Sequence, residues 1–173
     1  MTQTCTVQLL LQPEEDVGTD WATDEARAVQ GEVLPTEFIP WPELSKPLTE
    51  CSSRELGTEG ERMAANYLAK NGYEIVERNW RCPCGEVDIV AREDDTYVLV
   101  EVKTRLALGA NSCCMPELAV NSRKRAKYRK LALVYLANHL EVNAVRFDVM
   151  ALNVVSDRCA RARHLICAYG WDD

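Results

Sequence analysis

Three carboxylates and a lysine are the residues of this sequence best placed to do chemistry: Asp88, Glu101 and Lys103, with Glu61 upstream. Asp88 lies in Gly85-Glu86-Val87-Asp88-Ile89-Val90-Ala91, and Glu101-x-Lys103 closes the stretch from Thr96 to Thr104. Both stretches are rich in Val and Ile and read as strands, joined by the charged turn Arg92-Glu93-Asp94-Asp95. Strand side chains alternate, so Tyr97, Leu99, Glu101 and Lys103 share one face, and Val98, Val100 and Val102 the other. By the same rule Glu86 and Asp88 share a face, with Val87, Ile89 and Ala91 opposite. If Asp94-Asp95 alone makes the turn, Glu93 meets Thr96 and Asp88 lies across from Glu101, with Cβ atoms about 5 Å apart. If all four residues form the loop, Asp88 becomes the diagonal neighbour of Glu101. Both registers cluster the two acids.

Facing carboxylates repel unless positive charge sits between them, and one lysine a pleat away cannot neutralise both. A divalent cation can. Magnesium, or manganese, fits because it takes one or two protein carboxylates and completes its shell with water and phosphate oxygens. Asp88 and Glu101 are thus the candidate metal ligands. Lys103 is placed to orient the attacking water or to stabilise charge on the phosphate. This is the logic of metal-dependent phosphodiester hydrolysis. Glu61 precedes Ala64 and Leu68 by helical spacings that bring it to the inward face, as a third acid. Thr58-x-x-Glu61 equally fits a capping box, in which the glutamate only satisfies a backbone amide.

The elements that must position these residues read as an α/β domain with a central sheet. A first helix, capped by Ser52, Ser53 or Thr58, carries Ala64, Ala65, Tyr67 and Leu68 and stops at Asn71-Gly72. Strands follow at Tyr73 to Trp80 and in the hairpin. A second helix from Ser122 to His139 carries Tyr128, Leu131, Ala132, Tyr135 and Leu136 at core spacing. Val145 to Val155 is a further strand, and Leu165 to Tyr169 a candidate for another.

The chain has 173 residues and a net charge of −7, but the acidity is local. Residues 1–55 hold eleven acidic and three basic side chains and five of the seven prolines, which predicts a mostly disordered acidic leader before a domain over 56–173. Short helical spacing from Ala22 to Val33 is the exception, and Trp21, Phe38, Ile39 and Trp41 offer docking points on a partner or on the domain. Tethered near a basic patch, such a leader would compete with DNA for it. The apolar runs fall short of a membrane span and the first residues lack a secretory pattern, so the expected address is the cytoplasm, with no membrane association. In that reducing setting the eight cysteines read mainly as bystander thiols. Cys82-Pro83-Cys84 and Cys113-Cys114 are poorly spaced for zinc.

Arg123, Lys124, Arg125, Lys127, Arg129 and Lys130 open the second helix with six basic residues in eight positions. Such a run is commonly a solvated face. At a helix N-terminus, however, it opposes the macrodipole, which favours a phosphate-binding role. Arg105 and Arg146 could also reach phosphate, or Arg146 could pair with Asp148. His139 and His164 read as structural or surface residues.

Taken in order, Gly57-x-x-Gly60-Glu61-x-x-Ala64-x-x-Tyr67-Leu68, Gly72-Tyr73, Arg78-Asn79, Gly85-Glu86-Val87-Asp88-Ile89-Val90-Ala91, Val100-Glu101-Val102-Lys103-Thr104-Arg105 and Arg146-Phe147-Asp148-Val149 resemble the YraN family of predicted nucleases. The resemblance spans about residues 55–155. It implies the restriction-endonuclease-like superfamily, near archaeal Holliday junction resolvases: a central mixed sheet flanked by helices, with the PD-(D/E)xK site. Glu61 then matches the helix acid, Asp88 the metal aspartate, and Glu101 and Lys103 the E-x-K pair, for a Mg2+- or Mn2+-dependent endonuclease. The implied partner is DNA, branched or single-stranded, contacted by Arg105, Arg123, Lys124, Arg125, Lys127 and Lys130; a homodimer would suit branched DNA. The leader, the long loop from Leu106 to Leu118 and Cys82-Pro83-Cys84 depart from the family pattern. The competing readings are a catalytically silent nucleic-acid-binding or interaction module of the same fold, and a zinc protein using Cys82 and Cys84.

Overall fold

The computed structural model of the chain describes residues 32–108 and 122–168, with the side chains of residues 33 and 122–125 outside that description. The elements are β1 (Glu32–Val33), β2 (Glu37–Pro40), a 3-10 turn (Leu48–Glu50), α1 (Ser53–Lys70), β3 (Glu74–Cys82), β4 (Gly85–Glu93), β5 (Thr96–Leu106), α2 (Ser122–Asn138), β6 (Val145–Ser156) and β7 (Cys159–Ile166). All seven strands form one mixed α/β sheet in the order β1-β7-β6-β5-β4-β3, with β2 also paired to β7. Only β5 and β6 run parallel, because α2 lies between them in sequence and carries the chain back to the starting edge.

Each helix covers one face. Ala64, Ala65, Tyr67 and Leu68 of α1 pack on Ile89, Ala91, Val98, Val100, Val102, Met150 and Leu152. Tyr128, Leu131, Ala132 and Tyr135 of α2 pack on Trp80, Val90, Leu99, Phe147, Val149 and Leu165 on the other face. The 2.0 and 3.6 periodicities of the sequence therefore meet where they should. Gly72, at φ +91°, ends α1 in a conformation that favours glycine, and the Asn71 amide returns to the Tyr67 and Leu68 carbonyls.

Two expectations are refined. The mostly disordered leader holds order in its last part: β1 and β2 extend the sheet along β7, and Ile39 and Trp41 dock on the domain, buried with Leu48 in the α1-side core. Few apolar residues, spaced by prolines, suffice because a preformed edge supplies the partner hydrogen bonds. Residues 32–55 thus cannot act as a free acidic tether. Trp21 and the helical spacing from Ala22 lie largely outside the described residues. The final strand starts at Cys159 rather than Leu165, as the second arm of a hairpin whose turn is Asp157-Arg158.

At the hairpin end a buried polar network ties three strands, β4, β6 and β7, to Tyr73 just ahead of β3. Arg146 Nε and Nη2 donate to the two Asp148 oxygens at 2.9 and 3.0 Å, and its Nη1 donates to Glu93 at 2.6 Å. Its Nη2 also donates to the Tyr73 hydroxyl at 3.1 Å. Asp148, fully buried, further accepts from the Cys167 amide and lies 2.8 Å from His164 Nε2. Arg146 is therefore a structural partner of Asp148, and His164 is a core residue braced by the Tyr67 and Tyr73 rings. Removing Asp148 would take from the Arg146 guanidinium its buried, two-point counter-charge and leave only the more exposed Glu93. Asp148→Ala is expected to lose about 3–5 kcal/mol, read from urea unfolding at constant m-value.

Candidate active site

The strands β4 and β5 separate just where the candidate acids sit. Their antiparallel register runs from Glu93↔Thr96 to Ile89↔Val100, so Asp94-Asp95 is the turn and the next step sets Asp88 across from Glu101. Beyond that point residues 85–87 of β4 pair with β3 alone, and β5 continues to Leu106 with β6 alone. The Val102 amide, which has lost a main-chain acceptor on β4, donates instead to Asp88 Oδ2 at 2.7 Å. The aspartate thus fills the opening between two diverging strands.

The divergence explains a departure from simple alternation. Val87 packs with Trp80 on the α2 side, whereas Ile89 and Ala91 face α1, so the face assignment changes at Asp88. The expectation that Asp88 and Glu86 would share a face with Glu101 is replaced by a carboxylate turned into the gap. Glu101 and Lys103 keep their common face and form an ion pair, with Glu101 the more buried partner.

Glu61 is not a capping residue. α1 begins earlier than the Thr58 reading required: Ser52 is the N-cap, its hydroxyl accepts from the Glu55 amide, and the Glu55 carboxylate accepts from the Ser52 amide at 2.9 Å. Glu61 is left half-buried in the helix body. Its position depends on Gly60, where a Cβ would lie only 1.7 Å from Thr104 Oγ1. Glycine at that spot lets α1 press onto β5 one residue past Lys103, close enough for Glu61 to act electrostatically on Asp88. A glycine inside a helix costs roughly 1 kcal/mol against alanine, and that oddity was the sequence signal for a close approach.

Burial pushes the Asp88 carboxyl up to about 6; the charges of Glu101 and Glu61 add to the rise, and the Val102 amide and Lys103 oppose it. The site therefore carries more negative charge than its lysine neutralises. Among the described residues no three His, Cys, Asp or Glu side chains converge on one point that could hold a metal ion. Asp88 and Glu101, set opposite one another, offer two hard carboxylates that could hold magnesium or manganese, with water and other oxygens completing its shell. Cys82 and Cys84 flank the β3–β4 turn, one half-buried and one exposed, without a cluster of ligands around them. Cys113 and Cys114 lie outside the described residues.

The basic residues divide. Lys127 of α2 crosses the start of β4, where a Cβ on Gly85 would stand 2.7 Å from its Cε and 3.3 Å from its Nζ. Gly85 adopts φ +142°, and it is three residues from Asp88, so α2 brings its N-terminal half to the forked end of the sheet. Lys127 is exposed there, and Lys130, three residues on, is exposed too. Arg123, Lys124 and Arg125 belong to the same helix, and their side chains lie outside the described residues. Arg105 is exposed on β5, one pleat past Lys103 on the same face.

The profile of the uncharacterised protein family UPF0102 matches residues 60–152, from the close-packed Gly60 to the middle of β6. The chain belongs to UPF0102. A UPF0102 protein of Geobacter sulfurreducens is 46% identical over 116 residues, covering 66% of this chain and 88% of the relative. One from Syntrophomonas wolfei is 42% identical over 118 residues, 68% of this chain and 99% of its own. A third, from Thermodesulfovibrio yellowstonii, is 46% identical over 99 residues, 57% and 86% of the two chains. All four candidate catalytic positions fall inside the UPF0102 match, whereas β1, β2 and β7 lie outside it. No helix among the described residues is long and apolar enough to cross a membrane.

Because folding raises the Asp88 pKa, the folded protein keeps a proton that the unfolded chain loses near pH 4. Stability should therefore fall as pH rises from about 4 to about 6 and stay flat above that range. Asp88→Asn, whose amide oxygen still accepts from Val102, should raise stability at pH 7.5 by up to about 3 kcal/mol, with no gain below pH 4. Denaturant melts across this pH range test it; an unchanged or less stable variant at pH 7.5 would refute the assignment. Ser52→Ala should cost about 1 kcal/mol of stability through the lost cap. Glu61→Gln should instead lower the Asp88 pKa, measured by NMR titration of the carboxyl carbon. A glutamine variant that leaves the titration in place would remove Glu61 from the site.

Proposed function

We propose that this protein is a metal-dependent nuclease of the PD-(D/E)xK type, in a restriction-endonuclease-like fold as the YraN resemblance implies. The observation that carries this reading is the strand fork, which sets Asp88 opposite Glu101 with Lys103 one pleat further on. Asp88 and Glu101 would hold a magnesium or manganese ion, which when bound supplies Lewis acidity at the phosphate and a more acidic water. Lys103 is released from full pairing with Glu101 when that carboxylate is engaged, and its ammonium can then orient the nucleophile or meet the charge that builds on the phosphate oxygens. Glu61, held by Gly60 against Thr104, adds negative charge beside Asp88 and can accept a proton from water in the site.

DNA as the substrate is supported by the placement of α2. Lys127 stands at the forked end of the sheet, with exposed Lys130 three residues further along the same helix, which supports phosphate-binding charge on the end that holds the carboxylate pair. Contacts of this kind give affinity without reading sequence, which suits a substrate recognised by structure, in repair, recombination or DNA uptake.

The test is a panel of flush duplex, splayed-arm, four-way and single-stranded DNA, with an RNA counterpart, incubated with Mg2+, Mn2+ or EDTA. Cleavage is expected with either metal and none with EDTA. Asp88→Asn, Glu101→Gln and Lys103→Ala should each lower the rate at least about a hundredfold while remaining folded. Nucleic-acid binding without cleavage by the wild type, under any metal, would leave the silent-module reading in its place.

A further inference from the structure

The sheet register continues from the E-x-K strand into residues that the family match does not cover: Asn153, Arg161, Arg163 and Phe38. On the face that bears Glu101 and Lys103, Lys103 pairs across with Ala151, and Ala151 with Arg163. One pleat further along, Arg105 pairs with Asn153, Asn153 with Arg161, and Arg161 with Phe38 of β2. Directly paired residues share a face, so these two rows run from the E-x-K strand across β6 and β7 to the leader strand. Their β6 members Ala151 and Asn153 are buried, so the charge along the rows is presented by Lys103 and Arg105 on one side and by Arg161 and Arg163 on the other. They hold four cations and no carboxylate. Alternation along β2 sends its acid the other way: Glu37 pairs with Ala162 and accepts from the Tyr67 hydroxyl at 3.2 Å, on the α1 face.

Phe38 ends the row. It is 68% exposed, although its neighbours Ile39 and Trp41 are buried. The Arg161 guanidinium lies 5.8 Å from its ring centroid, and Arg163 donates through Nε and Nη2 to Thr36 Oγ1 at 3.0 and 2.8 Å. A large aromatic ring held open to solvent on a strand and braced by a cation is a stacking surface. Three strand spacings separate it from β5, about 15 Å, or some four nucleotides at the stacked rise of 3.4 Å.

We propose that these rows form a track for an unpaired strand of nucleic acid leading away from the Asp88–Glu101 site, with Phe38 stacking on a base. The proposal rests on the nuclease reading and narrows its substrate to one with a single-stranded arm. A duplex buries its base faces in the stack and offers Phe38 none; an unpaired segment exposes them while its phosphates follow Arg105, Arg161 and Arg163. The β5 end of the track lies inside the family match, whereas its far end on β7 and β2 lies outside it.

The test is fluorescence anisotropy in EDTA, where no hydrolysis occurs, with a labelled 12-nucleotide single strand and a flush duplex of the same sequence. Phe38→Ala should weaken single-strand binding about tenfold and leave duplex binding unchanged. Phe38→Leu, which keeps an apolar side chain on β2, should lose as much, and Phe38→Trp should bind as well as the wild type. Unchanged single-strand affinity in Phe38→Leu, or an equal loss on both ligands, would overturn the track while leaving the nuclease reading intact. Wild-type protein that binds neither ligand would overturn both. Binding with the expected pattern but no cleavage in Mg2+ would reject only the hydrolytic step.

Discussion

The amide of Val102 has to find an acceptor, and most of what is particular about this molecule follows from where it finds one. β5 pairs with β6 over its whole length but with β4 over only its first half. A main-chain donor at the point of separation would be costly to leave unsatisfied in a sheet covered on both faces. The carboxylate of Asp88 takes that role, and in doing so it is drawn out of solvent and towards Glu101. The strand fork thus gives the aspartate a structural duty and raises its pKa at the same time. The position is a compromise: the hydrogen bond favours the ionised form, while burial and two acidic neighbours disfavour it more. A carboxylate held at such a disadvantage is one that a cation can stabilise.

The two ends of the sheet are built on opposite terms. At the hairpin end, Arg146 answers Asp148 and Glu93, with Tyr73 and His164 completing the set, so each buried charge has a counter-charge and fixed geometry. Immediately around Asp88 two further acids, Glu101 and Glu61, stand against one lysine, Lys103, and the close contact between Gly60 and Thr104 is what brings Glu61 near. A closed network resists change; an unbalanced one is ready to take up a ligand. The rigid end keeps β4, β5 and β6 in register, which is what allows the other end to open without the strands slipping.

Much of this was legible in the residues because it depends on local pattern. The turn Asp94-Asp95 fixes the hairpin register, and the register alone places Asp88 against Glu101 and puts Glu101 and Lys103 on one face. The core of α2 could be read from Tyr128, Leu131, Ala132 and Tyr135. What could not be read depends on partners distant in sequence. β2 is a strand only because β7 offers it an edge, and β7 itself, Cys-Ala-Arg-Ala-Arg-His-Leu-Ile, alternates Ala with Arg and His instead of showing the usual branched residues. The cap stayed open among Ser52, Ser53 and Thr58 because Thr58-x-x-Glu61 and Ser52-x-x-Glu55 are equally good boxes on paper, and the structure selects Ser52. Likewise the change of face at Asp88 has no local signature, since it arises when the two neighbours of β4 part company.

The leader strands matter to this logic because a sheet edge is a liability unless something covers it. β7 would end the sheet beside β6 with its outer edge unpaired; β1 and β2 occupy that edge and bury Ile39 and Trp41 beneath α1. The opposite edge is managed differently. β3 stays exposed over most of its length but is irregular, with a register shift between Ile75 and Glu77 and Asn79 at φ +54°, and it is studded with Glu74, Glu77, Arg78 and Arg81. Such a strand is a poor template for further pairing. Adding strands on the β7 side therefore lengthens the one face that also carries Glu101 and Lys103, and alternation then decides which leader side chains reach it. Ile39 must turn inward to be buried, so its neighbour Phe38 must turn to the side of the E-x-K pair. The burial of one residue fixes the exposure of the next, and that is how an acidic, proline-rich segment comes to present an aromatic ring beside a row of arginines.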